Sequence, residues 1–303
     1  MTIMIDLHTH SNASDGDLSP ALLIREAANQ GLRAVALTDH DTTEGLEGAK
    51  NEAEAMGIHF IPGIEININW KPVSSIGTSS PELCGLGPGG EFHLLGLGIN
   101  RPSPAFLAAI AELSRRREAR NRKILDRMHE LSIEASWEDL LALSGGHSIG
   151  RPHFANLLIK RKIVKTGEQA FARYLGVGKP LYVPKMGLEF EEAAVLIRES
   201  GGIPVLAHPM SLYIAWGRLP DLIQALKDRG LMGIEAWHPT AKPGACRRLE
   251  ELGRNLGLYV TEGSDFHSAV RSDRKLGCSN RGRCIQDGVL EAIQELLAPR
   301  PFV

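Results

Sequence analysis

The feature that most constrains this chain is its opening apolar segment, Ile5-Asp6-Leu7-His8-Thr9-His10, which ends in two histidines. On an extended strand the side chains alternate between faces, so the two histidines point one way while Leu7 and Thr9 point the other. Two imidazoles on one face can bind a single metal ion, and Asp15 follows close enough to reach the same ion or its neighbour. Taken alone, such histidines are more often surface or core residues, so a metal site is predicted only if similar residues recur downstream.

Apolar, β-rich segments alternate with amphipathic helical ones along most of the chain. Ser19-Pro20 supplies a capping residue and a first-turn proline for a helix over 21–30, and a strand follows over 33–40. The same order recurs between residues 189 and 261, and a further helix is predicted over 287–296. This alternation predicts an α/β fold of about seven parallel strands with helical crossovers.

Two stretches interrupt the alternation. Residues 72–91 are rich in Ser, Gly and Pro, which predicts a long surface loop that serves either as a plain linker or as a lid over substrate. Residues 102–184 carry helical patterns without strands, which predicts an all-helical insertion. We therefore expect a catalytic barrel in two parts, 1–100 and 186–303 with the C-terminal tail, separated by a helical substrate subdomain over 101–185.

A basic run marks the longest predicted helix, which spans residues 104–131. The run contains Arg115-Arg116-Arg117, Arg120, Arg122, Lys123 and Arg127. Such a run most often covers a solvated helix face, and a phosphate-rich ligand passing nearby is the alternative that we retain.

Composition argues against several classes of protein. The formal net charge of -2 gives no overall basic field for nucleic acid, although a local basic patch could hold a nucleotide or a short strand. The four cysteines show neither Cys-x-x-Cys spacing nor the density of a secreted scaffold, which predicts a reduced, cytoplasmic chain. We expect no leader segment and, without a run of about 20 apolar residues, no membrane partner.

Histidines and carboxylates collect where the predicted strands end. They are His8, His10, Asp39, His40, Glu65, His93, His208, Asp265 and His267, with Asp15 beside them. In a parallel α/β fold the carboxyl ends of the strands share one face, where active sites lie. Any one of these histidines could be a satisfied core residue, but so many buried polar groups need partners, and metal ions supply them.

Metal-assisted hydrolysis is the reaction class that these ligands favour. Imidazoles and carboxylates without thiolates suit Zn²⁺, Mn²⁺ or Fe²⁺, and their number implies two or three ions. Two ions about 3.5–4 Å apart can bracket a phosphoryl group and stabilise its attacking and leaving oxygens. We expect no serine-nucleophile arrangement or phosphate-binding loop to compete, so the sequence predicts a hydrolase of phosphate esters.

The motifs then become specific to a family. The chain carries, in order, Asp6-Leu7-His8-Thr9-His10, Thr38-Asp39-His40, Pro62-Gly63-Ile64-Glu65, His93, Ala207-His208-Pro209 and Ser264-Asp265-Phe266-His267. Together they resemble the PHP (polymerase and histidinol phosphatase) family of phosphoesterases. The resemblance implies a distorted (β/α)7 barrel built from residues 1–100 and 186–267.

The resemblance also implies how the ligands are shared among the ions. One ion would be held by His8, His10, Glu65 and Asp265, a second by Glu65, His93 and His208, and a third by Asp15, His40 and His267. Glu65, His208 and Asp265 would be the catalytic residues. Asp39 stays open between a metal ligand and a hydrogen-bond acceptor that orients a histidine.

Two segments of the insertion resemble a subfamily that contains 3′,5′-nucleoside bisphosphate phosphatases and the exoribonuclease ribonuclease AM. They are Gly150-Arg151-Pro152-His153-Phe154-Ala155 and Tyr174–Val183. The resemblance implies that Arg151, through its planar fork, and Lys179, through a point charge, hold the 5′-phosphate of the substrate. Arg151 could instead pair with an acid in a helix cap, and His153 could contact phosphate, carry a proton or simply pack.

One departure affects the substrate more than the metals. Relatives in this subfamily carry Gly-Arg-Tyr after the His-Pro pair, whereas this chain has Met210-Ser211-Leu212-Tyr213, so a basic contact is either missing or supplied by Arg218. Glu235 and His238, near the end of another strand, could line the site or serve as core or capping residues.

The resemblance thus implies a metal-dependent phosphoesterase that removes the 3′-phosphate of nucleoside 3′,5′-bisphosphates such as adenosine 3′,5′-bisphosphate. Short 5′-phosphorylated RNA presents the same terminal unit, so 5′-to-3′ exoribonuclease activity is a second prediction. The alternatives are a phosphomonoesterase of the histidinol phosphatase type and a metal-binding module without catalysis.

Overall fold

A computed structural model describes residues 4–69, 90–145, 148–270, 273–285 and 288. The loop predicted over 72–91 lies outside the described residues except for its last two positions, and so does the helix predicted over 287–296 except for residue 288. Among the described residues, no helix combines the length and the apolar character needed to cross a membrane.

Seven strands of the described chain form one sheet in chain order. They are β1 (Met4–Asp6), β2 (Leu32–Leu37), β3 (His59–Asn67), β4 (His93–Leu97), β5 (Ile203–Leu206), β6 (Gly233–Trp237) and β7 (Tyr259–Glu262). Just beyond β1 and β7, Thr9 forms a parallel bridge with Phe266, and the His10 backbone N–H donates to the Phe266 carbonyl at 2.9 Å. These contacts join the two edges, so the sheet nearly closes into the predicted barrel.

One strand, β4, runs against its neighbours. It pairs antiparallel with both β3 and β5, whereas the other neighbouring pairs are parallel. We expected parallel strands and placed His93 at the carboxyl end of one, which is wrong, because His93 is the first residue of β4. The reversal brings the amino end of β4 level with the carboxyl ends of its neighbours, where His93 pairs with Asn67 of β3. His93 therefore lies at the same rim as the other ligands, but at the amino end of its strand and not at the carboxyl end.

The α-helices of the described residues lie mainly around the barrel and in the insertion. They are α1 (Pro20–Asn29), α2 (Leu46–Met56), α3 (Pro104–Glu130), α4 (Trp137–Leu143), α5 (Arg151–Lys160), α6 (Gly167–Ala170), α7 (Phe190–Glu199), α8 (Leu219–Asp228) and α9 (Pro243–Asn255). Ala34 of β2 belongs to the interior cluster with Leu95 of β4, whereas the next residue, Val35, packs with Leu23 of α1. This period of two is what a strand buried on both faces requires.

The stretch between β4 and β5 is helical, as predicted. α3 has 27 residues, so it is about 40 Å long. It begins beside Ser200, whose hydroxyl accepts from the Ser103 backbone N–H at 3.3 Å, and it reaches the rim at Arg117, which donates to the His40 carbonyl at 3.0 Å. α3 therefore runs the height of the barrel and continues beyond it.

The far part of α3 forms a separate apolar core with α4, α5 and α6. Ile124 and Met128 of α3 pack there with Phe154 of α5. Residues 167–175 are divided into the one-turn α6 and a π-helical turn, Phe171–Leu175. The insertion is thus stabilised by an apolar core of its own, and only part of its surface faces the rim of the barrel.

Candidate metal centre and the cavity beside it

Four potential ligand atoms from both ends of the chain converge at the rim. His8 Nε2 lies 3.1 Å from His10 Nε2, and these nitrogens lie 3.5 and 3.2 Å from Asp265 Oδ1. Glu65 Oε2 lies 3.5 and 3.3 Å from the same two nitrogens. Ligands about 2.0–2.1 Å from a tetrahedral Zn²⁺ are separated from one another by about 3.3–3.4 Å. The atoms thus have the spacing of a metal coordination sphere.

Glu65 faces two groups of histidines at once. Its Oε1 lies 2.9 Å from both His93 Nδ1 and His208 Nε2, while its Oε2 lies 2.9 Å from His40 Nδ1. Oε2 is buried and accepts no hydrogen bond from the described residues, as expected of an oxygen whose partner is a cation. Burial opposes ionisation, but the neighbouring histidines hold the pKa of Glu65 well below its usual value. A bridging position fits this geometry.

A third group lies at the mouth of the barrel. Asp15 Oδ1 lies 3.3 Å from His267 Nε2 and 3.9 Å from His40 Nε2, and the His267 ring stacks on His10 with centroids 4.2 Å apart. Together with His10, these side chains form a set whose ligand atoms all lie within 4.8 Å of one another. The structure therefore brings together all nine residues that the sequence predicts as metal ligands.

Glu235 and His238 touch this cluster. Glu235 Oε1 lies 2.9 Å from His8 Nδ1, and its Oε2 accepts the backbone N–H of His208 at 2.7 Å. A proton on His8 Nδ1 can be donated to this carboxylate, which leaves Nε2 as the ligand atom. His238 Nε2 lies 3.1 Å from Asp265 Oδ2. The sequence left open whether Glu235 and His238 line the site or serve as core or capping residues, and the structure shows both in contact with the site.

Asp39 is observed neither as a metal ligand nor as an acceptor that orients a histidine. Its carboxylate accepts the Ser11 backbone N–H at 2.8 Å and the hydroxyls of Ser11 and Ser14 at 2.6 Å each. These bonds fix the loop that carries His10 at one end and Asp15 at the other. Asp39 therefore holds the loop, with its oxygens already occupied.

Four non-glycine residues that line the site adopt positive φ angles. They are Asp41 at 52°, His208 at 28°, Tyr213 at 52° and Asp265 at 50°. Such conformations cost about 1–3 kcal/mol each and persist only where the surroundings fix them. Two of the four, His208 and Asp265, belong to the predicted ligand set, so backbone strain is maintained at residues that position ligand atoms.

A cavity of about 410 Å³ extends from this cluster to the insertion. The barrel wall of the cavity is formed by the histidines and carboxylates just described. The insertion wall is basic, and its cationic residues are Arg116, Arg117 and Arg120 of α3, Arg151 at the start of α5, and Lys185. The basic run of α3 is therefore not only a solvated face.

Most of these cations already have anionic partners. Arg117 donates to Asp41 Oδ2 at 2.5 Å, whereas Arg151 pairs with Glu91, whose Oε1 also lies 3.6 Å from Lys185 Nζ. Lys185 and the other cations near Glu91 hold the pKa of that carboxyl well below its usual value. The members of these pairs all line the cavity.

Arg120 is the exception. It is only 8% exposed and has no ion-pair partner among the described residues. Its guanidinium donates to Asn121 Oδ1 at 3.1 Å, while its buried Nε has no partner in the described chain. Burial and the nearby cations Arg117 and Arg151 lower the pKa of Arg120 to about 9. An anion in the cavity would relieve this cost.

The predicted substrate contacts are only partly brought to the cavity. Arg151 lines it, and its guanidinium lies 5.7 Å from the centre of the Phe171 ring. Lys179 is exposed and does not line it, because the turn after the π-helix directs that residue elsewhere. His153 is at the start of α5, where its Nδ1 accepts the Gly150 backbone N–H at 2.9 Å. Packing at a helix start is thus the observed role of His153.

The departure after His208-Pro209 has a structural consequence. Ser211 Oγ lies 2.7 Å from His208 Nδ1 and donates to the Glu91 carbonyl at 3.0 Å, so it orients the His208 ring. Arg218 lies next to α8 and does not line the cavity. The basic groups of the insertion wall come instead from α3, Arg151 and Lys185.

Ser148 and Arg274 differ from what the sequence led us to expect. Residues 146–150 read Gly-His-Ser-Ile-Gly, a formal match to a serine-nucleophile motif that we did not expect. The Ser148 hydroxyl accepts from Arg117 at 3.4 Å, and the described residues form no catalytic triad around it. Arg274, whose sequence context gave no signal, pairs with Asp265.

Comparisons with known proteins agree with this geometry. A model of the PHP domain matches residues 6–189. The chain is 33% identical to the 5'-3' exoribonuclease Rnm of Salmonella typhimurium over 267 residues, which are 88% of this chain and 85% of the relative. It is 31% identical to the 3',5'-nucleoside bisphosphate phosphatase of Chromobacterium violaceum over 274 residues, which are 90% of either chain.

A solved structure leads to the same assignment. It is described as an amidohydrolase from Chromobacterium violaceum with bound sulfate and no metal, and it superimposes with a TM-score of 0.80 at 30% identity, covering 97% of this chain and 96% of its own. The similarity thus extends over the barrel and the insertion together. The chain therefore belongs to the PHP domain family and is a metal-dependent phosphoesterase.

Proposed function

We propose that this chain hydrolyses the 3′-phosphate of nucleoside 3′,5′-bisphosphates and that the same site shortens 5′-phosphorylated RNA from its 5′ end. The observation that carries the proposal is one cavity with two unlike walls. The ligand cluster forms the barrel side, and the insertion side contains the buried Arg120, which has no ion-pair partner among the described residues. A substrate with two phosphate groups satisfies both walls at once. The names of the relatives at 31–33% identity support the same assignment.

The barrel wall would hold the ions and the reacting phosphate. Glu65 would be shared, with His8, His10 and Asp265 on one side, and His93 with His208 on the other; Asp15, His40 and His267 would form the third set. Bound divalent ions would neutralise charge on the phosphoryl oxygens and lower the pKa of an attacking water. Glu235 and Ser211 keep two of the histidine rings aimed at the cluster.

The insertion wall would hold the distal phosphate. Arg120 is the preferred anion contact, because no carboxylate of the described residues has to be displaced from it. Arg151 offers a planar fork beside it, but phosphate must compete there with Glu91, which also neutralises Lys185. The distal phosphate would thus position the scissile phosphate over the ligand cluster. Holding the reacting group in this orientation would raise the rate of hydrolysis.

An adjoining cavity of about 240 Å³ favours RNA as a second substrate. It shares His40, Asp41 and Arg117 with the main cavity and continues towards Trp137 and Asn121 of the insertion. A bisphosphate leaves this space unused, whereas the nucleoside that follows the scissile phosphate in RNA can enter it. Trp137 supplies an aromatic surface on which such a group could stack.

The test is phosphate release by the metal-reconstituted chain from matched substrates. Adenosine 3′,5′-bisphosphate and adenosine 3′-phosphate differ only in the 5′-phosphate, and we expect about tenfold or more preference for the former, since a charge-assisted hydrogen bond is lost in the latter. Equal rates on the two would remove the role of the basic wall. Faster hydrolysis of histidinol phosphate than of either would replace the substrate assignment.

Two further measurements complete the test. A 5′-phosphorylated dinucleotide should release a nucleoside 5′-monophosphate, and absence of that product would remove the RNA activity alone. A chelator should abolish turnover, and Mn²⁺ should restore it. Protein that binds Mn²⁺ but hydrolyses none of these esters would be the metal-binding module without catalysis.

A further inference from the structure

A short antiparallel hairpin follows the site residues and contains two cysteines. Cys278 and Cys284 face each other in an antiparallel bridge. The Ser279 backbone N–H donates to the Arg283 carbonyl at 2.8 Å, and the Ile285 backbone N–H donates to the Gly277 carbonyl at 3.1 Å. These bonds lie on either side of the two cysteines and not between them. Cys278 and Cys284 are therefore a non-hydrogen-bonded pair, the type whose side chains approach most closely.

This pairing is compatible with a covalent bond. Residues in such a pair have Cα atoms about 4.5 Å apart, which lies at the lower end of the range of about 4.4–6.8 Å seen for disulfides. Both thiols are free. Burial raises the pKa of the Cys278 thiol, and the adjacent Cys284 raises it further through its charge and a hydrogen bond. The two sulfur atoms are thus in direct contact range.

The two thiols differ in access. Cys284 is exposed, whereas Cys278 is half-buried. An exposed thiol meets a reagent first, and a neighbouring, less accessible thiol can then resolve the product. Cys246 is fully buried in the main core and has neither feature.

We propose that Cys278 and Cys284 form a site of reversible oxidation that takes small-molecule disulfides as its co-reactant. The Cys284 thiolate attacks one sulfur of the small disulfide, so that a mixed disulfide forms and one small thiolate leaves. The Cys278 thiolate then attacks Cys284 Sγ, closing the intrachain bond and expelling the second thiolate. The protein loses two electrons and two protons, and the small disulfide becomes two thiols.

The hairpin joins the first strand to the segment that carries Asp265. The Gly277 backbone N–H donates to Asp6 Oδ2 at 2.8 Å, while Asp6 Oδ1 accepts from the Ser264 backbone N–H at 3.0 Å. Ile285 is fully buried in the barrel interior, and its carbonyl accepts the Ile5 backbone N–H at 3.0 Å. Oxidation would therefore form a disulfide within the segment whose Ile285 fills part of the barrel interior. This proposal does not depend on the substrate proposed above.

The test uses the full chain with Cys84→Ser, which removes the cysteine outside the described residues. This protein is treated with oxidised glutathione, and released glutathione thiol, remaining protein thiols and disulfide-linked peptides are measured. We expect two thiols released per chain and one cross-linked pair, Cys278 with Cys284. Peptides in which the two cysteines stay unlinked, while Cys284 carries glutathione, would overturn the proposal without any further variant.

Three substitutions sharpen the result. In Cys278→Ser the reaction should stop at the mixed disulfide, with one thiol released per chain. In Cys284→Ser the yield of oxidised protein should fall by about tenfold or more, because only the less accessible thiol remains. Cys246→Ser is the matched control and should behave like its parent. A cross-link that survives in Cys278→Ser, or that disappears in Cys246→Ser, would assign the oxidation to another pair.

Discussion

The two walls of the main cavity are built in opposite ways. On the barrel wall, atoms from segments that follow β-strands far apart in sequence converge to 3.1–3.5 Å, as between His8, His10 and Asp265. Backbone pairing fixes them there, since His40 bridges Glu65 and Thr9 bridges Phe266. The basic wall depends on helix faces of an insertion with its own apolar core. The comparison teaches that the reaction and the choice of substrate can change separately in this fold.

The largest expected effect comes from neutralising the carboxylate at the centre of the barrel wall. In Glu65→Gln the shape is kept, but the charge that faces both groups of histidines is removed. We expect loss of more than about a hundredfold in turnover, because even outlying partners of metal ligands cost about 10–100-fold. Phosphate release and metal content per chain measure it. Full turnover in this variant would contradict the shared-ligand geometry.

A smaller effect is expected from the residue behind the same wall. Glu235→Gln removes the charge that lies 2.9 Å from His8 Nδ1, so the ring loses its orientation and basicity. Metal affinity should fall by about 10–100-fold. Titration of the metal-free chain with Mn²⁺ would detect it. If affinity is unchanged, Glu235 is a core residue that touches the site without supporting it.

The basic wall is tested by Arg120→Met. We expect kcat/KM for a 3′,5′-bisphosphate to fall about tenfold while adenosine 3′-phosphate is little affected, since a charge-assisted hydrogen bond to the distal phosphate is lost. The free energy of unfolding should change little, because the variant loses the hydrogen bond to Asn121 but no longer buries a guanidinium that has no ion-pair partner among the described residues. Arg115→Met, at an exposed position of the same helix, is the control. Equal losses on both substrates would place Arg120 outside the distal phosphate site.

The smallest effect is expected from Lys179→Ala. Lys179 is exposed and does not line the cavity, so kcat/KM for the bisphosphate should change by less than about twofold, as for an ordinary surface substitution. Steady-state kinetics of phosphate release measure it. A larger loss, confined to substrates with a 5′-phosphate, would show that the insertion moves Lys179 to the cavity when substrate binds.

The barrel wall could be predicted from sequence because most of its ligands lie near the carboxyl end of a recognisable strand segment or just beyond it. Period-two alternation places His8 and His10 on one face, and the strand ends place Glu65 and Asp265 at one rim. The direction of β4 could not be predicted, because a short apolar strand carries no mark of its polarity. The position of His93 was correct only because that strand begins where its neighbours end.

The basic wall was harder to predict for a physical reason. A run of arginines on a helix shows which residues share a face but not what that face meets. Leu113, Arg117, Arg120 and Ile124 follow the spacing of one stripe, and this stripe proved to be the inward one. Lys185 and Arg274 lie outside helices, where no periodicity exists to reveal them.

The length of α3 has a consequence for how such a chain can vary. The helix is anchored beside Ser200 at one end and delivers Arg116, Arg117 and Arg120 at the rim. Adding one residue before Arg116 would turn the three guanidinium groups by about 100° around the helix axis and advance them by about 1.5 Å. Insertions and deletions in α3 before Arg116 should therefore occur in whole helical turns. Single-residue changes would rotate the three arginine side chains away from the substrate.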